Sequence, residues 1–361
     1  MSVTRHKVLI CDDSPLLRQV LKDMLSDGGL DVVGEITDGA DLVAAVKRLK
    51  PDVVTLDVEM PRKDGISALD DLMKECPTPV VMVSTLTGRG TRETVRALSI
   101  GAVDVVQKPA LRLTPKAWGV TRDELVAKVI TAALARVGHL RQTAVSPRPV
   151  TRPHAVNTEL ASRAVGTGAP LVIIATSTGG PRALHELVPR LPGSLGAGVL
   201  IVQHMPVGFT KSLAERLNGE SALAVREARN GDAIRPDTAL VAPAGSHLEV
   251  TGPGEVRLSN APAIGGLRPR ADVTISSAVK NAGRPILLTV LTGMGADGLE
   301  GAKDLKRAGA GRILTEDERT CVIYGMPRAI VDAGLSDGTF PLDAMHLAMV
   351  EAAGRAQKRA A

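Results

Sequence analysis

Short apolar runs alternate with helix-period stretches along most of the chain, and the alternation breaks once. In the first half the runs are Lys7–Cys11, Val32–Ile36, Val53–Asp57, Val80–Ser84 and Val103–Gln107. Between them lie stretches such as Leu16–Leu25 and Thr91–Ile100, where apolar residues return with helical period, and Thr121–Val137 closes the set. Strands this uniformly apolar are covered on both faces, which requires a parallel sheet with crossover helices. From Pro170 the pattern resumes, with Leu171–Ala175, Gly198–Gln203 and Ile286–Leu291 as buried parallel strands and Asp343–Gln357 as a terminal helix. The segment around 225–260 is shorter and turn-rich, with Asn230-Gly231 and Gly252-Pro253-Gly254, and predicts small antiparallel strands. The chain is therefore α/β throughout, with one parallel sheet at 5–137 and a second, doubly wound sheet with a small antiparallel hairpin region at 169–352.

Residues 138–168 separate the two blocks. They hold Pro147, Pro149 and Pro153, and four arginines (Arg141, Arg148, Arg152, Arg163) against one acid, Glu159. That composition predicts a flexible basic linker. Aromatic residues make up 1% of the chain, so its cores must be aliphatic. The three cysteines, Cys11, Cys76 and Cys321, have no metal-ligand spacing and fit a reduced, cytoplasmic protein. No stretch reaches the ~18 unbroken apolar residues of a membrane span. A net charge of +5 admits an acidic partner, but without basic segments interleaved with aromatics it does not point to nucleic acid.

In an open parallel sheet, ligands bind beyond the carboxyl ends of the strands. Asp12 and Asp13 follow the first predicted strand, Asp57 ends the third, Ser84 the fourth, and Lys108 follows the fifth. A single aspartate there is most often a helix cap, and Asp13-Ser14-Pro15 reads like a helix start. Five polar groups at strand ends are harder to explain as caps. Carboxylate oxygens suit a hard cation such as Mg²⁺, held by Asp12, Asp13 and Asp57. Asp57 is the candidate nucleophile toward phosphorus, with Ser84 and Lys108 binding phosphoryl oxygens.

The second block carries a different set. Ser177 follows the strand Leu171–Ala175 and precedes Thr178, Gly179, Gly180 and Pro181, a turn into a helix whose free N–H groups can face an anion. His204 ends the next strand, in Gln-His-Met-Pro, and Asp297 lies in the Gly-rich turn after Ile286–Leu291. A serine needs a base, and the base an orienting acid. Alone, Ser177 would be read as a helix cap, His204 as a structural hydrogen-bonder with His185 and His247 as competitors, and Asp297 as a turn residue. Together at strand ends they favour catalysis. The order Ser, His, Asp and the sequence Ala-Thr-Ser-Thr-Gly do not fit an α/β-hydrolase elbow.

Cys11-Asp12-Asp13-Ser14, Asp57-Val58-Glu59-Met60-Pro61 and Gln107-Lys108-Pro109 resemble the receiver domain of bacterial response regulators. The stretches Ser177-Thr178-Gly179-Gly180, Gln203–Thr210, Leu291–Gly298 and Tyr324-Gly325-Met326-Pro327-Arg328 resemble the catalytic domain of the chemotaxis protein-glutamate methylesterases, the CheB family. The first resemblance implies a flavodoxin-like fold and phosphoryl transfer from a histidine kinase to Asp57. The second implies a triad of Ser177, His204 and Asp297, with an oxyanion held by N–H groups near the Gly-rich turns, Met294 among them. Two positions depart from the usual patterns. Val105 stands where receivers often carry an aromatic that moves on activation, and Ala175-Thr176-Ser177 replaces the common Gly-Ala-Ser.

The resemblance implies hydrolysis of glutamyl methyl esters, and deamidation of glutamines, on the cytoplasmic helices of methyl-accepting chemoreceptors. It also implies a receiver that covers the catalytic cleft until phosphorylated. Ester hydrolysis needs no cofactor. The enzyme is expected to be a cytoplasmic monomer that meets the membrane only through receptors and binds no nucleic acid. One alternative is a response regulator with a non-catalytic, DNA-binding output domain, which needs a helix-turn-helix that residues 170–340 do not show. Another is a nucleotide-binding oxidoreductase, which needs a Gly-x-Gly-x-x-Gly that is missing after Ala175.

Overall fold

The computed structural model describes residues 5–85, 88–108, 115–135, 137, 169–252 and 254–360. It divides into two compact units, Met1–Ala144 and Val145–Ala361. The expected linker at 138–168 lies outside the described residues. Among those described, no helix is long and apolar enough to cross a membrane.

In the first unit the chain runs β1 (Lys7–Cys11), α1 (Pro15–Asp27), β2 (Asp31–Ile36), α2 (Leu42–Leu49), β3 (Val53–Asp57), α3 (Gly65–Glu75), β4 (Val80–Ser84), α4 (Gly88–Ile100), β5 (Asp104–Gln107) and α5 (Pro115–Ala133). The sheet is parallel, in the order β2-β1-β3-β4-β5. Every residue of the central strands β3 and β4 is buried, in keeping with their Val-rich composition. Helix α1 starts where Ser14 Oγ accepts from Leu17 N and Pro15 occupies the first turn, and Asp64 caps α3 by accepting from Ser67 N. The strand order reverses between β1 and β3, so Asp12, Asp13 and Asp57 leave the sheet side by side.

In the second unit the elements are β6 (Leu171–Thr176), α6 (Gly180–Leu187), β7 (Gly198–Gln203), α7 (Phe209–Glu220), β8 (Ala224–Glu227), β9 (Thr238–Val241), β10 (His247–Thr251), β11 (Glu255–Ser259), α8 (Ala271–Asn281), β12 (Ile286–Val290), α9 (Leu299–Arg307), β13 (Gly311–Glu316), α10 (Met326–Asp332), β14 (Gly338–Phe340) and α11 (Leu342–Ala360). Seven strands form one parallel sheet, in the order β14-β13-β12-β6-β7-β9-β8. Alternate residues of β6, Leu171, Ile173 and Ala175, pack into one aliphatic core with Leu200, Leu248, Ile275 and Met326. The chain builds outward from β6 in both directions. The ends of β6, β7 and β12 are therefore neighbours, and the crevice of such a sheet opens there.

One expectation is corrected. Among the described strands of the second unit, β10 and β11 form the antiparallel pair, whereas β8 and β9 belong to the main sheet and run parallel. The Asn230-Gly231 turn is not a hairpin tip. It lies in the 228–237 crossover, which is held against β11 by Gly231 N to Val256 O at 2.9 Å and Ile234 N to Gly254 O at 2.7 Å. A turn signal fixes a local reversal, not the partner of the strand that follows.

Candidate active site

In the first unit, three carboxylates converge. Ligand atoms of Asp12, Asp13 and Asp57 lie within 4.8 Å of one another, with Asp12 and Asp57 buried and Asp13 exposed. Lys108 Nζ is 2.6 Å from Asp57 Oδ2 and 3.3 Å from Asp12 Oδ2. Burial pushes the Asp57 carboxyl up to about 6; the hydrogen bond from Lys108 opposes this and the Asp12 charge adds to it. Asp12 Oδ1 accepts from Ser14 N at 2.9 Å, while its buried Oδ2 faces the Lys108 ammonium. Three carboxylates gathered about one lysine leave excess negative charge, which fits a divalent cation better than it fits a helix cap. Ser84 is buried, its Oγ donating to Thr85 O at 3.2 Å, and Ser84 O accepts from Lys108 N at 2.8 Å. The five residues singled out in this block thus meet at one sheet edge.

In the second unit, Thr176 and Gln203 are register partners on β6 and β7, so Ser177 and His204 begin adjacent loops. Gln203 ties these loops together: its Nε2 donates to Ser177 O at 2.9 Å and to His204 O at 2.8 Å. His204 N donates to Thr176 O at 3.3 Å. His204 Nε2 lies 2.8 Å from Asp297 Oδ2, and the histidine is only 10% exposed. With Nε2 on Asp297, Nδ1 is the nitrogen left for another partner. The other candidate histidines are engaged elsewhere: His185 with Glu220 and Arg216, and His247 with Pro262 O.

Asp297 is the most heavily bonded group of the site. Its Oδ2 also accepts from Ala271 N at 2.7 Å, and its Oδ1 accepts from Asp272 N at 3.0 Å and Gly298 N at 2.9 Å. Ala271 and Asp272 open α8, so Asp297 satisfies two N–H groups that the helix itself cannot. Burial pulls the Asp297 carboxyl upward, but the hydrogen bond and charge of His204 and the N–H groups of Asp272 and Ala271 outweigh it. The net result lies below the ordinary carboxylate range. A carboxyl held below its ordinary range stays ionised beside the imidazole.

The Gly-rich turn after β12 approaches the serine closely. Gly293 needs to be glycine, because a Cβ there would stand 2.9 Å from Ser177 Cβ and 3.0 Å from Ser177 N. Ser177 N donates to Thr292 O at 3.1 Å. Met294, the next residue of the turn, is 54% exposed. Thr178, Gly179 and Gly180 are buried, and Gly179 adopts a left-handed φ of 80° at the entry to α6.

The CheB methylesterase family model matches residues 172–349, and the response regulator receiver domain model matches residues 8–114. The chain is 47% identical over 355 residues to a protein-glutamate methylesterase/protein-glutamine glutaminase of Symbiobacterium thermophilum, covering 96% of this chain and 97% of that protein. The chain belongs to the CheB methylesterase family. A relative with the same description from Pyrococcus horikoshii is 40% identical over 350 residues, covering 96% of this chain and 93% of that one. The solved catalytic domain of Thermotoga maritima CheB methylesterase is 38% identical with a TM-score of 0.48, covering 50% of this chain and 97% of that domain.

Both departures from the usual CheB and receiver patterns have a structural counterpart. Val105 is buried at 1% exposure beside Met82, so no ring is available at that position to swing between inner and outer rotamers. Thr176 is fully buried, and its Oγ1 donates to Thr292 O at 2.8 Å, which links β6 to the Gly-rich turn. Sequence reasoning missed several supporting residues. Besides Gln203 and Thr292, Asp272 Oδ1 accepts from Gly298 N at 2.9 Å and Gly301 N at 3.0 Å, and Arg270 Nε lies 3.4 Å from Asp297 Oδ1. An acid in the first turn of a helix was the signal for Asp272, but nothing local links it to Asp297.

Proposed function

We propose that this CheB-family chain hydrolyses methyl esters of glutamate side chains on the cytoplasmic helices of chemoreceptors, and deamidates glutamines there. Ser177, His204 and Asp297 are the catalytic residues. The observation that carries this reading is the buried His204–Asp297 hydrogen bond at the end of the strand next to that of Ser177. Ser177 Oγ attacks the ester carbonyl while His204 takes its proton. The tetrahedral oxyanion rests on backbone N–H groups of the loops around Gly179, Gly180 and Met294. His204 returns the proton to the departing methoxide, methanol leaves, and an acyl-enzyme remains. Water, deprotonated by His204, attacks that ester and frees the glutamate. A glutamine follows the same path with ammonia as the leaving group.

The receiver at 5–137 supplies regulation. A histidine kinase donates a phosphoryl group to Asp57, and Lys108 and Ser84 bind its oxygens. Asp12, Asp13 and Asp57 would hold Mg²⁺, which supplies charge neutralisation for phosphoryl oxygens when bound. Phosphorylation shifts the chain toward an active population. A linker at 138–168 joins the receiver to the catalytic domain at 169–352.

The test is methanol release from methylated receptor membranes, with and without a small phosphodonor and Mg²⁺. The native chain should respond to the phosphodonor, Ser177→Ala should release nothing, and Asp57→Asn should lose only the stimulation. Turnover in Ser177→Ala would sink the assignment. An unregulated native enzyme would remove the switch and keep the esterase.

A further inference from the structure

A cavity in the second unit lies away from the catalytic edge. It occupies about 810 Å³, within the ~300–1,000 Å³ range of small-molecule sites. Its walls include Arg284, Ile286 and Leu287 where β12 begins, Arg312 where β13 begins, and Ala352 of α11. Asp297 follows the opposite end of β12, so this cavity lies at the far edge of the sheet, roughly 16 Å away at ~3.3 Å per strand residue.

Arg284 is the unusual member. It is 7% exposed, and its Nε, Nη1 and Nη2 atoms are buried with no hydrogen-bond partner. Burial lowers its pKa, and no acid acts to restore it. A guanidinium does not deprotonate in proteins, so the charge remains, and leaving it buried and unpaired is unfavourable. Arg312, half-buried, adds a second cation. Among the described lining residues the acid is Asp337, already engaged by Lys306 Nζ at 2.5 Å and Ile313 N at 2.7 Å. Most of the remaining described lining is aliphatic, including Val279, Pro285 and Ala310, and among the described lining residues there is no aromatic face on which a nucleobase could stack.

We propose that this cavity binds a small amphiphilic anion, with a carboxylate or phosphate head on Arg284 and an aliphatic body against α8, β12 and α11. A planar oxyanion would take two parallel N–H bonds from the guanidinium, the geometry that arginine supplies best. The site is separate from the ester-hydrolysing machinery and does not depend on that assignment.

The experiment is calorimetric titration of the full chain with hexanoate, hexyl phosphate, inorganic phosphate and hexanol, repeated on Arg284→Met, Arg284→Lys and Ala352→Leu. At least one of the two amphiphiles should bind more tightly than millimolar, and the preferred one identifies the head group. Hexanol should bind at least about tenfold more weakly, as should the preferred amphiphile to Arg284→Met, matching the ~1.5–3 kcal/mol of a charge-assisted hydrogen bond. Ala352→Leu, which fills the cavity without touching the charge, should weaken the amphiphile and spare any inorganic phosphate binding. Arg284→Lys should bind with intermediate affinity, which guards against a Met variant that merely misfolds. Hexanol binding as well as hexanoate, equal affinity in native and Arg284→Met proteins, or no binding by either amphiphile would overturn the proposal.

Discussion

Glu316, the last residue of β13, is wholly buried, and its replacement by glutamine should change how stability depends on pH. Its Oε2 accepts from Thr292 N at 2.8 Å and its Oε1 from Thr320 Oγ1 at 3.0 Å. Burial pushes the carboxyl up to about 7 from an ordinary 4.5; those hydrogen bonds and the Arg182 charge oppose the rise without cancelling it. At pH values below 4.5 the group is protonated in both folded and unfolded chains and contributes no pH dependence. Between 4.5 and about 7 the unfolded chain has lost its proton and the folded chain keeps it. The folded state then binds more protons, so stability falls as pH rises, and the loss is complete above about 7. At about 1.4 kcal/mol per pH unit this gap amounts to about 3 kcal/mol. Glu316→Gln keeps an acceptor for Thr292 N–H and abolishes the titration. Hydrogen exchange of β12 and β13 amides in the full chain reads the opening of this unit without requiring the two units to unfold together. From about pH 4.5 to about pH 8, the native chain should lose about 3 kcal/mol more than the variant. Parallel pH profiles for the two proteins would mean that Glu316 is ionised throughout, paired with Arg182, and would refute the reasoning.

Three further variants test other contacts. Asp297→Ala should lower methanol release by about 10³–10⁴-fold, because the imidazole loses its orienting partner; a rate within about tenfold of native would count against the triad. The same variant leaves Ala271 and Asp272 N–H groups without an acceptor and should cost roughly 1–2 kcal/mol in urea denaturation. Gly293→Ala places a Cβ 2.9 Å from that of Ser177 and should cut kcat by about 10²-fold through displacement of the nucleophile, with secondary structure by circular dichroism unchanged. Phe209→Ala empties a fully buried site at the start of α7 and should cost about 3–5 kcal/mol by the same exchange measurement.

The first sheet was legible because each strand carries a short Val-rich apolar run between helix-period stretches, and β1 to β5 begin and end within a residue of the expected bounds. In the second sheet, β6, β7 and β12 carry the same signal. By contrast, β13 was not identified: Gly311 and Arg312 open it and Thr315 and Glu316 close it, leaving Ile313 and Leu314 as its apolar centre. It is a strand because β12 pairs with it, not because its own residues demand one.

The sequence by itself determined which residues stand at strand ends. Side chains at the carboxyl edge of a parallel sheet face the crevice whatever the neighbouring strand, so Asp12, Asp57, Ser177, His204 and Asp297 could be named from local pattern alone. Strand order was a tertiary decision. It placed β6 between β7 and β12, aimed the N-terminus of α8 at Asp297, and set Gln203 and Thr292 beneath Ser177. Hydrogen bonds between residues far apart in the chain depend on which strands become neighbours, and no local propensity encodes that. Arg284 is the extreme case: in sequence it is one arginine in a turn, and only packing removes it from water without supplying a partner.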